Sequence, residues 1–207
     1  MAGLSANDED QANAIPAEAG RVLDFWFGTP GSALHGTDRS EWFRKDTDFD
    51  AEIRNRFGPL IEQALRGELE SWAGSAESAL AQIILLDQFT RNAFRDTPRA
   101  FAGDARALAL ARAMVGNRQD ELLDAKQRSF AYLPFEHAEG IAMQEESLRL
   151  YGRLADAAPE TANSLDYARK HHAIVQRFGR FPHRNIVLGR RSTVEELEFL
   201  KQPGSRF

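Results

Sequence analysis

The hydrophobic positions of this 207-residue chain repeat with the period of an α-helix along most of its length. Phe49, Ile53 and Phe57 are spaced four residues apart, which places them on one helical face. The stretch 78–94 is apolar around most of its circumference and predicts a buried central helix. No segment shows the alternation of apolar and polar residues that half-buried strands require. The pattern therefore predicts an all-α fold.

Capping residues and helix breakers set the bounds of the predicted helices. Pro16 suits the first turn of a helix that Gly28 ends, and Thr47 can cap the second helix. The Gly-Pro pair at 58–59 kinks or ends that second helix. The segment 193–196 has the pattern of a capping box before the last helix. Further helices are predicted over 78–94, 101–115, 137–155, 164–178, 184–188 and 194–201.

Eight or nine such helices with short connections favour packing in antiparallel pairs, as in a stack of helical hairpins. Residues 1–14 are polar and are predicted to form a disordered tail. A composition that is 43% hydrophobic and 28% charged supplies one sizeable core, so we expect 15–207 to form a single domain.

Composition excludes several kinds of function. The chain has no Cys, which rules out disulfides, thiolate nucleophiles and Cys-ligated metal sites. No stretch approaches the roughly 18 apolar residues of a membrane helix, and the N-terminus has no apolar signal core, so we expect a cytoplasmic protein without a membrane partner. A pI near 5.6 argues against a nucleic-acid partner. Any chemistry must come from His, carboxylates, hydroxyls or Arg.

One short segment departs from this acidic composition. The 25 residues 167–191 carry six Arg, one Lys and three of the five His, with no Asp or Glu. This segment has a net charge of +7, against −12 for the rest of the chain. Such a concentration of guanidinium and imidazole groups indicates either an anion-binding site or a dense network of buried ion pairs.

The predicted central helix carries a polar row near its C-terminal end. Asp87 and Arg91 are four residues apart and share one face, and Asn92 lies in a parallel row beside them. The pair is either an ordinary intrahelical ion pair or part of a site at the end of an otherwise apolar helix. Both interpretations are open from the sequence.

A second polar stretch contains Glu136, His137 and Glu139 at the predicted start of a helix, where carboxylates favour the helix dipole whatever their function. No pair of candidate ligands has the spacing that places two of them on one helical face. We therefore expect no metal and no cofactor.

The third stretch lies within the basic segment. His171 falls among apolar positions and is predicted to point inward, with His172 on the shoulder of the same helix. Gly179 and Pro182 break this helix. Backbone N–H groups at the start of the next helix, with basic side chains beside them, favour a carboxylate or phosphate oxygen. The polar residues of this turn are Arg180, His183, Arg184 and Asn185.

Four strings of residues are similar to those of a known family. They are 87–92 (DQFTRN), 132–137 (YLPFEH), 177–185 (RFGRFPHRN) and 198–207 (EFLKQPGSRF). Over about 22–207 the chain resembles the bacterial domain-of-unknown-function family 924. The resemblance implies an all-α, TPR-like fold and carries no established activity. One departure is Thr90, which stands where the family pattern has Pro.

Three functional hypotheses follow from these residues. In the first, Arg180, Arg184 and Asn185 bind a small anionic ligand or a peptide terminus above a floor that includes Asp87, Asn92 and His171. In the second, a metal-independent hydrolase or phosphodiesterase uses His183 or His171 as general base, with Arg184 stabilising the developing anion. In the third, the basic cluster is a buried ion-pair network in a structural or scaffolding protein, with Asp87, Glu136 and Glu139 as counter-charges.

Overall fold

The computed structural model describes residues 15–42 and 44–206, and every regular element in those ranges is helical. The all-α prediction is confirmed. The tail predicted over 1–14 lies outside the described residues. Among the described helices, none combines the length and the apolar character needed to cross a membrane.

Eight α-helices are joined by turns and by short 3-10 segments in the described chain. The third has three continuous parts, of which the middle one is π-helical. The helices are α1 (Ala17–Phe27), α2 (Thr47–Arg66), α3 (Ala76–Ile83, then Ile84–Phe89 and Thr90–Ala93), α4 (Asp104–Gly116), α5 (Ala125–His137), α6 (Ile141–Ala157), α7 (Ala162–Phe178) and α8 (Val194–Phe199).

Helix α2 begins and continues differently from the sequence prediction. Its N-cap is Asp46, whose carboxylate accepts hydrogen bonds from the N–H groups of Asp48 and Phe49 at 3.0 Å, so Thr47 is the first helical residue. The exposed Pro59 does not end the helix. Buried apolar side chains lie on both sides of it, and their burial outweighs the loss of one backbone hydrogen bond.

The largest error of the prediction concerns α5. The sequence predicts a helix over 137–155 with Glu136, His137 and Glu139 at its start, but Glu136 and His137 end a helix, and α6 begins only at Ile141. Pro134 lies inside α5. Because proline normally marks a helix boundary, the sequence pattern did not predict a helix that continues through this position. The dipole argument therefore has the wrong sign for Glu136, since a carboxylate is unfavourable at a helix C-terminus, whereas Glu139 lies just before the N-cap of α6.

The basic turn also differs from the prediction. Instead of a helix over 184–188, a 3-10 turn spans Pro182–Arg184, and irregular turns follow it. At the C-terminus, the predicted capping box is present: Glu196 N–H donates to the hydroxyl of Thr193, and Thr193 N–H donates to the Glu196 carboxylate.

Helix α3 passes through the core, and its π-helical part carries Asp87. Its apolar side chains are almost completely buried beside an aromatic cluster in which Trp26 and Phe57 contact Phe89. A π-helical turn shifts the side chains that follow it around the helix axis, and such turns are frequent at functional sites. The polar end of α3 lies close to α4 and α5.

Gly103, just before α4, allows the chain to pass close to the π-helical turn. A Cβ atom at this position would overlap the carbonyl group of Leu86. That carbonyl belongs to backbone and accepts a hydrogen bond from the hydroxyl of Thr90 at 2.7 Å, so it cannot move aside easily. The close approach therefore requires glycine.

We predict that Gly103→Ala lowers the free energy of unfolding by about 2 kcal/mol, because the added methyl group overpacks this contact. Gly152→Ala is the matched control, since Gly152 lies inside α6 and a Cβ there meets nothing within 4 Å. That variant should be neutral or stabilising by up to about 1 kcal/mol. Urea denaturation of both variants provides the measurement. Equal effects would show that the Gly103 contact is not constraining.

Candidate functional site

Asp87 is fully buried, and three polar side chains surround its carboxylate. His137 Nδ1 lies 2.8 and 3.0 Å from its two oxygens, Arg91 Nη1 lies 3.0 Å from Oδ1, and Gln88 Nε2 donates to Oδ2 at 2.5 Å. Burial alone would raise the pKa of Asp87. The positive charge of Arg91 and the hydrogen bonds from His137 and Gln88 more than offset it and hold the pKa below its ordinary value. Asp87 is therefore ionised at neutral pH.

Arg91 connects this buried carboxylate to α4. Its guanidinium donates to both carboxylate oxygens of Asp104, at 2.9 and 3.1 Å, and to the backbone carbonyl of Asp87 at 2.7 Å. Burial opposes the charge, but the nearby carboxylates raise the pKa of Arg91 above its ordinary value. Asp87 and Arg91 are thus more than an exposed intrahelical pair, because they belong to a part-buried chain of charges that continues to Asp104.

His137 is the last residue of α5, and its contact with Asp87 fixes the position of its proton. An ionised carboxylate only accepts hydrogen bonds, so Nδ1 is the donor, and in the neutral ring the lone pair lies on Nε2. Burial is the main cause that lowers the pKa of His137 below its ordinary value, against the raising effect of Asp87. His137 is therefore a neutral, oriented imidazole.

Arg184 is a buried cation with few acceptors. It is 6% exposed, and its guanidinium lies over the rings of Phe181 and Phe101 at 4.4 and 5.0 Å. Nη1 donates to the carbonyl of His137 at 3.0 Å and lies 3.7 Å from the carboxylate of Asp104. Nε is buried and has no acceptor among the described residues. Burial, and then the charge of Arg91, lower the pKa of Arg184 to about 10.

A cleft of about 270 Å³ lies against this cation. One part of its wall is apolar and is formed by Phe101, Leu108, Pro134 and Leu188. The other part is polar. Its charged and polar side chains are Asp87, Asp104, His137, Glu139 and Arg184.

Glu136, His137 and His171 form a cluster beside the cleft, which His137 also lines. His171 Nδ1 donates to the backbone carbonyl of Tyr167 at 2.9 Å and lies 3.0 Å from Oε1 of Glu136. Burial, and then the charge of Asp87, raise the pKa of Glu136 to about 8. Burial lowers the pKa of His171 to about 2. The two groups therefore form a neutral contact, not an ion pair.

Most other basic side chains of the segment 167–191 have carboxylate partners. Arg180 binds both oxygens of Glu196, at 2.6 and 2.8 Å. Arg190 binds Glu139, whose Oε1 also accepts from the N–H of Phe181 at 2.9 Å. Asn185 donates to Glu196 at 3.2 Å. Of the three predicted counter-charges, Asp87 and Glu139 bind arginines, whereas Glu136 has no arginine or lysine within ion-pair distance among the described residues.

The predicted site residues thus fall into separate groups. One cleft is lined by Asp87, His137, Glu139 and Arg184. Arg91 does not line it but contacts the carboxylate of Asp87. Asn92 is not part of it, because its amide donates to Asp50 at 2.8 Å, in a contact with α2 that also includes Arg95. The partly exposed His172 does not line this cleft. His183 lines a second cleft of about 610 Å³, with Arg190, Arg191, Lys201 and Arg206.

Sequence reasoning did not identify Phe101, Asp104 or Arg190 as site residues. Asp104 is the first residue of α4, where an acidic side chain needs no further explanation than the helix dipole. Arg190 lies in the basic segment, but six arginines there cannot be ranked by spacing. The pattern contained no signal that would have singled out these three.

The fold and the site define a helical protein in which a buried polar cluster underlies one cleft. Residues 22–204 match the family DUF924, described as a bacterial protein of unknown function, and the chain belongs to this family. The solved structure of the protein of unknown function ATU0120 from Agrobacterium tumefaciens is similar. It is 39% identical with a TM-score of 0.78, covering 89% of this chain and 97% of that one. No curated protein matches the chain.

The carboxylate of Glu196 predicts a loss of stability in acid. The hydrogen bond from Arg180 is the largest cause that lowers its pKa, from 4.5 to about 2. A lowered pKa in the folded state contributes stability that is fully present above pH 4.5 and is lost as the pH falls towards 2. Glu196→Gln should therefore have a melting temperature that varies less with pH in this window, and should be about 1.5–3 kcal/mol less stable at pH 7.

Glu195→Gln is the control for that experiment, because Glu195 is exposed and pairs with Arg177 on the surface. Its melting temperature should follow that of the wild type from neutral pH to pH 2. Calorimetry across this range compares the three proteins. If Glu196→Gln kept the acid dependence of the wild type, the assigned role of Glu196 would be wrong.

Proposed function

We propose that this protein binds a small organic carboxylate in the 270 Å³ cleft, with Arg184 as the anion-binding residue. The observation that carries the proposal is the incomplete hydrogen bonding of this buried guanidinium. Among the described residues, only Nη1 has an acceptor within hydrogen-bond distance. An unpaired buried donor costs about 1–3 kcal/mol, which the oxygens of a bound carboxylate would offset.

The walls of the cleft limit the ligand. Asp104 and Glu139 place two carboxylates on the wall of the cleft. These carboxylates would repel a second negative charge on the ligand. Phe101, Leu108 and Leu188 can cover a short apolar body. A compact monocarboxylate, or the carboxyl end of a peptide, satisfies both restrictions, whereas a phosphate with two charges does not.

The ion-pair hypothesis explains a different part of the segment. Arg180 and Arg190 each contact both oxygens of a carboxylate, so their charges are satisfied within the protein. Their role is to position the turn that carries Arg184, since Arg190 also donates to the carbonyl of Phe181 at 3.2 Å. The network and the ligand site are therefore complementary.

The hydrolase hypothesis has less support. Burial lowers the pKa of His183 to about 4, and that of His171 to about 2, so both are weak bases at neutral pH. Neither residue lines the cleft that contains Arg184. We accordingly assign neither of them a catalytic role.

We also propose that the helices form the TPR-like stack of antiparallel hairpins that the family resemblance implies. Extensive contacts between α5 and α6, and between α6 and α7, support this arrangement for the C-terminal half. A concave face in such a stack is a common place for a ligand cleft.

We predict that monocarboxylates stabilise the wild-type protein and that Arg184→Lys abolishes this effect. Lysine keeps the charge and much of the apolar stem but lacks the planar fork that matches a carboxylate. At a ligand concentration 100 times the Kd, the stabilisation is about 2.7 kcal/mol, or roughly 5–10 °C in melting temperature for a chain of this length. Melting curves with monocarboxylates, dicarboxylates, short peptides and inorganic phosphate give the measurement.

Arg191→Ala is the matched control, because Arg191 is exposed and lines the second cleft. It should respond to monocarboxylates as the wild type does. Equal stabilisation of the wild type and Arg184→Lys would contradict the proposal, and so would a response lost only in Arg191→Ala. The absence of any response to the whole panel would leave the ion-pair network as the explanation of the segment.

A further inference from the structure

Three potential ligands meet where the C-terminal end of α5 packs against α7. Glu136 and His137 are the last two residues of α5, and His171 lies on α7. Each offers one nitrogen or oxygen atom, and these atoms lie within 4.8 Å of one another. Tetrahedral bonds of about 2.0–2.1 Å place ligand atoms roughly 3.4 Å apart, so shifts on the order of 1 Å complete the geometry.

Hydrogen bonds fix the orientation of both imidazoles. His137 Nδ1 donates to the carboxylate of Asp87, and His171 Nδ1 donates to the carbonyl of Tyr167. In the neutral ring of His137 the lone pair therefore lies on Nε2, the atom that would bind a divalent metal. Nδ1 of His171 faces both the carbonyl of Tyr167 and, at 3.0 Å, Oε1 of Glu136. A carboxylate behind one histidine and a backbone carbonyl behind the other are the two common supports of such ligands.

The balance of charge also favours a cation at this place. Asp87 is paired with Arg91, but Glu136 is 3% exposed and has no arginine or lysine within ion-pair distance among the described residues. A divalent metal would supply the cation that this buried carboxyl group lacks. The cluster adjoins the cleft, because His137 belongs to both.

We propose that Glu136, His137 and His171 form a binding site for a divalent transition metal, with the remaining coordination position facing the cleft. Two imidazoles and one carboxylate are a donor set that suits Zn²⁺, Co²⁺ and Fe²⁺ better than Mg²⁺ or Ca²⁺. The expectation of no metal rested on spacing within one helix, whereas this cluster takes its third ligand from α7. The proposal goes beyond carboxylate binding and does not depend on it.

The test is titration of the chelator-treated protein with Zn²⁺ and with Co²⁺. We expect one equivalent of Zn²⁺ to bind with a rise in melting temperature, and Co²⁺ to give the intense visible absorption of a tetrahedral site. Glu136→Gln and His171→Ala should each weaken binding roughly a hundredfold or more, since removing even a supporting residue costs 10–100-fold. Glu136→Gln is nearly isosteric, so it remains informative if His171→Ala does not fold.

His172→Ala is the matched control, because His172 is adjacent to His171 on α7 but lies outside the cluster. It should bind metal as the wild type does, and so should Arg184→Lys, even where that variant has lost carboxylate binding. No stoichiometric binding to the wild type would overturn the proposal. Binding of equal strength in the wild type and Glu136→Gln would also overturn it, because the ion would then lie elsewhere.

Discussion

The site depends on one constraint, the complete burial of the ionised carboxylate of Asp87 in the core helix α3. Removing such a charge from water is costly unless it is paired and hydrogen-bonded. Arg91 supplies the opposite charge, and His137 and Gln88 supply hydrogen bonds. Because these partners come from α3 and α5, satisfying one carboxylate fixes the two helices relative to each other.

The need to pair each buried charge continues from Asp87 towards the cleft. Arg91 also donates hydrogen bonds to Asp104 of α4, and Asp104 lies 3.7 Å from Arg184. Charge therefore alternates from the buried end of α3 to the cleft, and it ends at a guanidinium whose acceptors are incomplete. Elsewhere in the basic segment, Arg180 and Arg190 are fully paired. The difference in pairing, not the density of positive charge, distinguishes Arg184.

Much of the fold was predictable from the sequence because local signals agreed with each other, as in α1, where Gly28 ends an apolar stripe, and in the capping box before α8. The prediction was wrong where a local rule was overridden by packing, as at Pro134 in α5. The relation of Asp87 to Arg91 was visible in their spacing. The roles of Asp104 and Arg184 were not, since they depend on which of many similar charges become neighbours after folding.

His137 is the residue through which the two proposed sites would influence each other. Its Nδ1 contacts Asp87, its ring belongs to the cluster with Glu136, and its backbone carbonyl accepts from Arg184. A divalent cation bound by that ring adds positive charge near the anion-binding guanidinium and so favours a carboxylate in the cleft. Such coupling is reciprocal by thermodynamic linkage, so an anion in the cleft would strengthen metal binding by the same factor.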